Sequence, residues 1–346
     1  MNTPVLVAAY MLGFAGALAA VLRTEEDTLQ RRVPFVLLLG LVSIGSIVVF
    51  QVIDVHGLRV DRRHMIDTFW SNVADGRYAY TPRPNSNIPG PLPFYYVMAL
   101  PFYLMGDIGY FTLAGLLGYA YLIWRVLGLG KSAYVALLTL ILSMSFLWEV
   151  TTRSTIVVNM VVILGYLLWL DRSKPISERG LILAGLVGGL VLSTRSVVAL
   201  PLLVYVVYAY GRQRRLKDIM LLGVAMLFGF SLTILPFYLW DRVSFSLYNP
   251  LLVQSALSTG PVLGIVLVAS LVLGWMSASQ RDAIAASGLV LFVAALLSFI
   301  PTTMQIGLTG VVYGDHFDPS YFNLSMPFLT FALGQFTQPS IPHAST

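Results

Sequence analysis

Long apolar stretches alternate with short polar ones along almost the whole chain. A helix that crosses the hydrocarbon core of a membrane needs about 20 predominantly apolar residues. Eleven stretches approach this length, at residues 4–22, 33–53, 108–124, 132–148, 154–170, 180–194, 196–211, 218–240, 260–279, 283–301 and 321–336. We therefore expect an all-α, polytopic bundle of eleven transmembrane helices, with residues 1–346 forming a single transmembrane domain.

The polar segment 54–91 is the exception to this pattern. It is longer than a turn, and its charged residues exclude it from hydrocarbon, so we expect a structured loop on one membrane face. Long ordered loops often carry function, and a plain connector is the alternative interpretation. We therefore expect any catalytic residues to lie in this segment.

The apolar segment 91–106 that follows is short and rich in proline and aromatic residues. If it crosses the membrane, the basic clusters at 172–179 and 212–217 face outward, against the preference of Lys and Arg for cytoplasmic loops. If it lies on the surface, 13 of the 21 Lys and Arg residues fall inside. We therefore predict an interfacial helix, an external N-terminus, a cytoplasmic C-terminus and an external loop over residues 54–107.

The composition supports a membrane protein. Apolar residues make up 57% of the chain and charged residues 11%, and the mean hydropathy is +0.80. The net charge of +5 is explained by basic cytoplasmic loops, so it does not indicate nucleic-acid binding. The absence of cysteine excludes disulfides, thiolate nucleophiles and sulfur-ligated metals. The first apolar stretch lacks a basic leader and is interpreted as a retained helix.

Arg195 interrupts the apolar run between residues 180 and 211. A guanidinium that faces lipid costs several kcal/mol, so this side chain is expected to face a wet cavity or an anionic partner. One interpretation is a cap between two short helices whose charge reaches the interface. The other is a ligand for a lipid phosphate, because the planar fork of Arg binds phosphate through two hydrogen bonds.

Glu149 and Arg153 lie four residues apart between two apolar helices. This spacing lets them pair on one helix face, so an interfacial salt bridge is the simpler interpretation. Asp241 and Arg242 follow an aromatic helix end and are interpreted as a membrane boundary.

The long loop offers Asp61, His64 and Asp67, spaced three residues apart. A carboxylate near a desolvating membrane surface can act as a general base, and Arg62 or Arg63 would keep it ionised. Asp and His also bind divalent cations, so a metal is possible, although no metal-specific spacing is present. A solvated run of charges is the third interpretation.

The loop and later segments resemble the GT-C superfamily of polytopic glycosyltransferases. The resemblance rests on Asp61, on Gly76 followed by Tyr78 and Tyr80, and on the segment PLPFYYVMALPFYLMG. Three later features are also similar to the family. They are Arg153 after an external corner, the segment GLVLSTRSVVALPLL and the segment PFYLWDRVSFSLYNPLL. The late Arg-Tyr pair of many members is absent, and His316 is the nearest possible cation.

The resemblance implies a sugar transfer from a polyprenyl-phosphate donor to a lipid, glycan or protein acceptor. Asp61 would be the general base, with Asp67 as the second candidate, and Arg195 and Arg153 would bind the donor phosphate. The remaining candidate substrate contacts are His64, Arg62, Tyr78, Tyr80 and His316. The expected place is the plasma, or inner, membrane, with the site on the external, periplasmic side.

Two other classes of protein share these features. A polytopic lipid or glycan transporter or flippase could also use Arg195, although it would be expected to show paired halves with intramembrane charges. A noncatalytic membrane assembly factor would not depend on any single carboxylate. No cofactor is assigned with certainty, and a divalent cation is possible.

Overall fold

The computed structural model describes residues 3–54, 62–83, 87–172, 177–213, 216–255, 260–313 and 317–338. In these ranges the chain is all-helical, without strands, as predicted. The α-helices are α1 (Thr3–Arg23), α2 (Glu26–Leu29), α3 (Arg32–Val52), α4 (Arg62–Ala74), α5 (Pro93–Leu104), α6 (Gly109–Leu127), α7 (Lys131–Ile141), α8 (Met144–Thr152), α9 (Ile156–Arg172), α10 (Glu178–Leu192), α11 (Ala199–Gln213), α12 (Leu216–Trp240), α13 (Arg242–Leu247), α14 (Pro250–Ser255), α15 (Gly260–Met276), α16 (Gln280–Tyr313) and α17 (Met326–Phe336). Two 3₁₀ helices cover Ser196–Val198 and Pro319–Leu324.

Five helices are long and apolar enough to cross a membrane by themselves, namely α1, α3, α6, α12 and α16. The helices α7 and α8, which meet at an angle of 56°, would form a sixth span if they are counted together. This count of candidate spans refers only to the part of the chain that the structure describes. The other five predicted spans form helices of 17 residues or fewer, so length alone does not support eleven spans.

The core surrounds α9, whose apolar side chains are buried on most sides. The helices α10 and α12 pack most closely of all, because their contact surfaces are formed by glycines. A Cβ atom on Gly189 would lie 2.3 Å from the carbonyl oxygen of Met226, which is closer than real Cβ atoms approach. This contact lets the two backbones touch directly.

The predicted external loop contains two helices that pack side by side. The rings of Phe69 on α4 and Tyr96 on α5 are stacked with centroids 3.7 Å apart, and Arg63 donates a hydrogen bond to the carbonyl of Gly106. The two helices therefore run antiparallel. A turn with Gly76 at φ +70° ends α4, a conformation that favours glycine.

Candidate functional site

Arg195 lies at the break between α10 and α11, immediately before the short 3₁₀ helix. The carbonyls of Ser193 and Thr194, which end α10, accept hydrogen bonds from the backbone N–H groups of Phe94 and Leu92. These bonds are 3.0 and 3.1 Å long and join the start of α5 to the break. The apolar run around Arg195 thus folds as two short helices, and the segment that begins α5 docks where they meet.

The Arg195 side chain is buried, with 7% of its surface exposed. Its guanidinium carbon lies 5.6 Å from the ring centroid of Tyr95, and the Tyr95 hydroxyl shares a 2.5 Å hydrogen bond with the Thr155 hydroxyl. Thr155 directly precedes α9. The positive charge is therefore held over an aromatic face between the loop and the central helix.

Gln254 on α14 connects the same corner to the loop. Its amide oxygen accepts a hydrogen bond from the backbone N–H of Ser196, and its amide nitrogen donates to the Gly90 carbonyl at 2.8 Å. The hydroxyl of Tyr80 donates to the neighbouring carbonyl of Pro91 at 3.2 Å. The segment before α5 is thus anchored from two sides beside Arg195.

Glu149 is completely buried on α8, next to the start of α9. One carboxylate oxygen accepts a 2.8 Å hydrogen bond from the Val157 N–H, and the other accepts a 2.7 Å bond from the Asn323 amide. The charges of Asp318 and Arg195 act on this carboxylate. Glu149 therefore anchors the start of α9, and the predicted Glu149–Arg153 salt bridge is wrong.

Arg153 has other partners because it adopts a left-handed conformation, with φ +53°, at the end of α8. This conformation turns its guanidinium toward the end of α3, where it donates to the carbonyls of Phe50 (2.7 Å) and Ile53 (2.9 Å). It also donates to the Thr151 carbonyl at 2.8 Å and lies 3.7 Å from an oxygen of Asp107. These contacts favour a structural role over phosphate binding.

Asp67 is the one of the two loop carboxylate candidates that the structure describes. Asp67 on α4 pairs with Arg63 at 3.6 Å, and Arg63 in turn contacts Gly106 at the end of α5. Gly106 follows Tyr95 by eleven residues, and helical rise makes this about 16 Å. The Arg63 side chain therefore reaches the Gly106 end of α5, whereas Arg195 lies over Tyr95 near the start of that helix.

Several predicted site residues fall outside the described part of the chain. Asp61 and His316 are among them, and of Arg62 only the backbone, at the start of α4, is described. His64 is half-buried on α4. Among the described residues no group of three or more His, Asp or Glu side chains could hold a metal ion. A site for a divalent cation that includes Asp61 stays a prediction.

Tyr78 and Tyr80 of the loop lie close together, with ring centroids 6.1 Å apart. Burial raises the pKa of both phenols above the ordinary value, and the negative charge of Asp241 raises that of Tyr78 further. Both hydroxyls therefore stay protonated and act as donors. Among the described residues the buried Tyr78 hydroxyl has no hydrogen-bond partner.

Two residues of this region escaped the sequence analysis, namely Gln254 beside Arg195 and Asn323 beside Glu149. Gln254 is 59 residues from Arg195. Only a three-dimensional arrangement brings such residues together. Asn323 could have been noticed as an uncharged polar residue within a predicted span.

The chain matches no protein-family model, no curated protein and no solved structure.

Proposed function

We propose that this protein is an integral membrane glycosyltransferase that moves a sugar from a polyprenyl-phosphate donor to a lipid, glycan or protein acceptor. The reaction would take place on the external, periplasmic face of the plasma, or inner, membrane. The candidate membrane-spanning helices support a membrane location. Within this proposal the shorter helices complete an eleven-span, GT-C-like bundle.

The observation that carries the proposal is the position of Arg195. Its buried guanidinium lies at a helix break under the loop, over the ring of Tyr95. An arginine in such a place suits an anionic headgroup that enters from the membrane surface, because its fork binds phosphate through two charge-assisted hydrogen bonds. We therefore assign the donor phosphate to Arg195 alone, since Arg153 already binds three backbone carbonyls.

The aromatic residues next to Arg195 support a sugar-containing substrate. The buried cluster of loop and helix side chains includes Tyr78, Tyr80, Tyr95 and Tyr96, and Phe237 and Trp240 of α12 contact it. Aromatic rings offer apolar faces together with phenolic donors, a combination suited to amphipathic ligands. In this arrangement the Tyr78 hydroxyl would donate to an oxygen of the sugar or phosphate.

The general base in this proposal is Asp61. Of the two loop candidates, Asp67 is paired with Arg63, and Asp61 lies outside the described residues. Because Asp67 is already held by a cation, the proposal keeps Asp61 as the base and Asp67 as the second candidate.

The test is binding of farnesyl phosphate, a short polyprenyl phosphate, to the purified full-length protein. We expect Arg195→Gln to weaken binding about tenfold or more, because hydrogen bonds to a charged group contribute about 1.5–3 kcal/mol. Arg195→Lys should retain part of the affinity, since it keeps the charge and loses the fork. Arg242→Gln, which changes an exposed arginine over the ring of Tyr238, is the matched control.

Unchanged binding in Arg195→Gln would show that Arg195 only caps the helix break. Equal losses in Arg195→Gln and Arg242→Gln would show a nonspecific effect of net charge and would also contradict the proposal. Thermal melting of each variant separates weakened binding from loss of the fold.

A further inference from the structure

A narrow groove runs between α3 and α6, far from Arg195. The two helices pack antiparallel: Phe50 contacts Tyr110 at one end, and Arg32 lies over Trp124 at the other. The groove is at the Arg32 end and has a volume of about 250 Å³. Arg32 and Phe50 are separated by eighteen residues, and helical rise makes this about 27 Å. The groove is thus distinct from the site at the loop.

The walls of the groove are apolar. Phe35, Leu39, Ala120 and Tyr121 are among the side chains that line it over two helical turns, a length of about 10 Å. The exposed Val36 and Tyr121 at its rim show that it opens sideways. Because α3 and α6 are both candidate membrane spans, this opening faces lipid.

The mouth of the groove is positively charged. The guanidinium carbon of Arg32 lies 5.6 Å from the ring centroid of Trp124, and among the described residues Arg32 forms no ion pair. The nearby acidic residue Glu26 instead accepts a hydrogen bond from the backbone N–H of Lys131.

The start of α3 adds to this positive potential. Its first turn contains no acidic residue, and Arg31 at the N-cap position makes no side-chain cap. The positive end of the helix dipole therefore coincides with two arginines, an arrangement that a bound anion would stabilise. Arg32 is also the first residue of a candidate span, the level at which lipid phosphates lie.

From the apolar walls and the cation at the mouth, we propose that the groove binds one acyl chain of an anionic glycerophospholipid, with its phosphate on Arg32. The apolar walls take the chain, and the charge selects the headgroup. This lipid is a structural or regulatory partner of the bundle and is independent of the proposed sugar donor.

The test uses Trp124 as its reporter. The full-length protein is placed in phosphatidylcholine vesicles that contain increasing fractions of brominated phosphatidylglycerol or brominated phosphatidylcholine. Bromine quenches tryptophan fluorescence on contact, and the difference from Trp124→Phe isolates the signal of Trp124. We expect half-quenching at an about fivefold lower fraction of the anionic lipid. The exposed Trp275 on α15 should show no such preference.

Two variants separate this site from general attraction to a charged surface. Arg32→Gln should abolish the fivefold preference, whereas Arg31→Gln removes the adjacent exposed charge and should retain it. Val36→Phe enlarges an exposed side chain at the rim and should reduce quenching by both lipids. Equal quenching by both lipids, or an equal loss in both arginine variants, would overturn the proposal. Absence of quenching by either lipid would show that another part of the protein or a second copy covers the groove, and would overturn it too.

Discussion

Arg153 connects the ends of α3 and α8 to the corner at Asp107. Its guanidinium binds two carbonyls at the end of α3 and one on α8, and it faces Asp107, whose carboxylate also accepts the N–H of Gly109 at the start of α6. The carbonyls that end a helix carry partial negative charge and have no partner within the helix. A buried cation there satisfies several of them at once.

Removing this side chain should therefore destabilise the fold. We expect Arg153→Gln to lower the free energy of unfolding by about 3 kcal/mol, because buried acceptors lose a charged donor. Thermal and denaturant unfolding in detergent measure this loss, with the exposed Arg242→Gln as a control expected within about 0.5 kcal/mol.

Arg153→Gly separates the side chain from the backbone. Glycine adopts the left-handed conformation without strain, so this variant should remain destabilised only if the guanidinium contacts matter. A glycine variant as stable as the wild type would contradict the assignment.

At the same scale, the two loop carboxylates give a direct test of catalysis. A general base typically contributes about two to four orders of magnitude in rate, so Asp61→Asn should nearly abolish sugar transfer and leave donor affinity within a few-fold. Asp67→Asn should keep most of the turnover, because Asp67 is paired with Arg63. The opposite result would move the base by six residues, and normal turnover in both variants would exclude this type of transferase.

Single residues differ in how far sequence reveals their roles. Arg195 stood out in the sequence because a charged side chain in an apolar run costs several kcal/mol if it faces lipid. The structure places it at a break between two short helices, which is the position that the capping interpretation describes. The partners of Arg153 could not be predicted, since the Phe50 carbonyl is 103 residues away and any backbone carbonyl would fit. The spacing of Glu149 and Arg153 favoured a pair, but the left-handed turn at Arg153 separates them.

Among the helices, the contact between α10 and α12 depends on glycine. We expect Gly189→Ala to destabilise the protein by about 1–3 kcal/mol, because the added methyl group meets backbone atoms that cannot move aside. Gly223→Ala on α12 is the matched control, since no atom lies within 4 Å of its new Cβ. It should be neutral or slightly stabilising. Unfolding of both variants under the same conditions measures the difference, and equal stabilities would show that the helices can separate without cost.

Apolar patterns predicted where helices occur better than where they bend. The run 132–148 is continuously apolar, yet Ser143 leaves the helical conformation at ψ 138° and accepts the N–H of Phe146 as the cap of α8. A single serine in such a run is a weak signal. The predicted helix 283–301 continues through Pro301 as far as a kink at Gly307, where φ 75° and ψ 160° are not helical, and a further helical stretch follows to Tyr313. The helix within 91–106 is present as α5, with its predicted surface position left to experiment.

For the whole molecule, the decisive question is the side of the membrane on which each loop lies. The helix α5 has 12 residues and α17 has 11, so length does not decide whether α5 crosses the membrane. The preference of Lys and Arg for cytoplasmic loops favours a surface position for α5, because the basic loops at 172–179 and 212–217 then face the cytoplasm.

Three single cysteines in this cysteine-free chain test the arrangement. We expect a membrane-impermeant maleimide added outside to label Arg77→Cys before α5 and Ser246→Cys after α12, and to leave Lys174→Cys unlabelled until the membrane is permeabilised. If α5 crosses, every later loop changes side. Lys174→Cys would then be labelled from outside and Ser246→Cys protected, while Arg77→Cys would be unchanged. That result would put Glu149 and Arg195 near the cytoplasmic face and remove the external site on which the proposed sugar transfer depends.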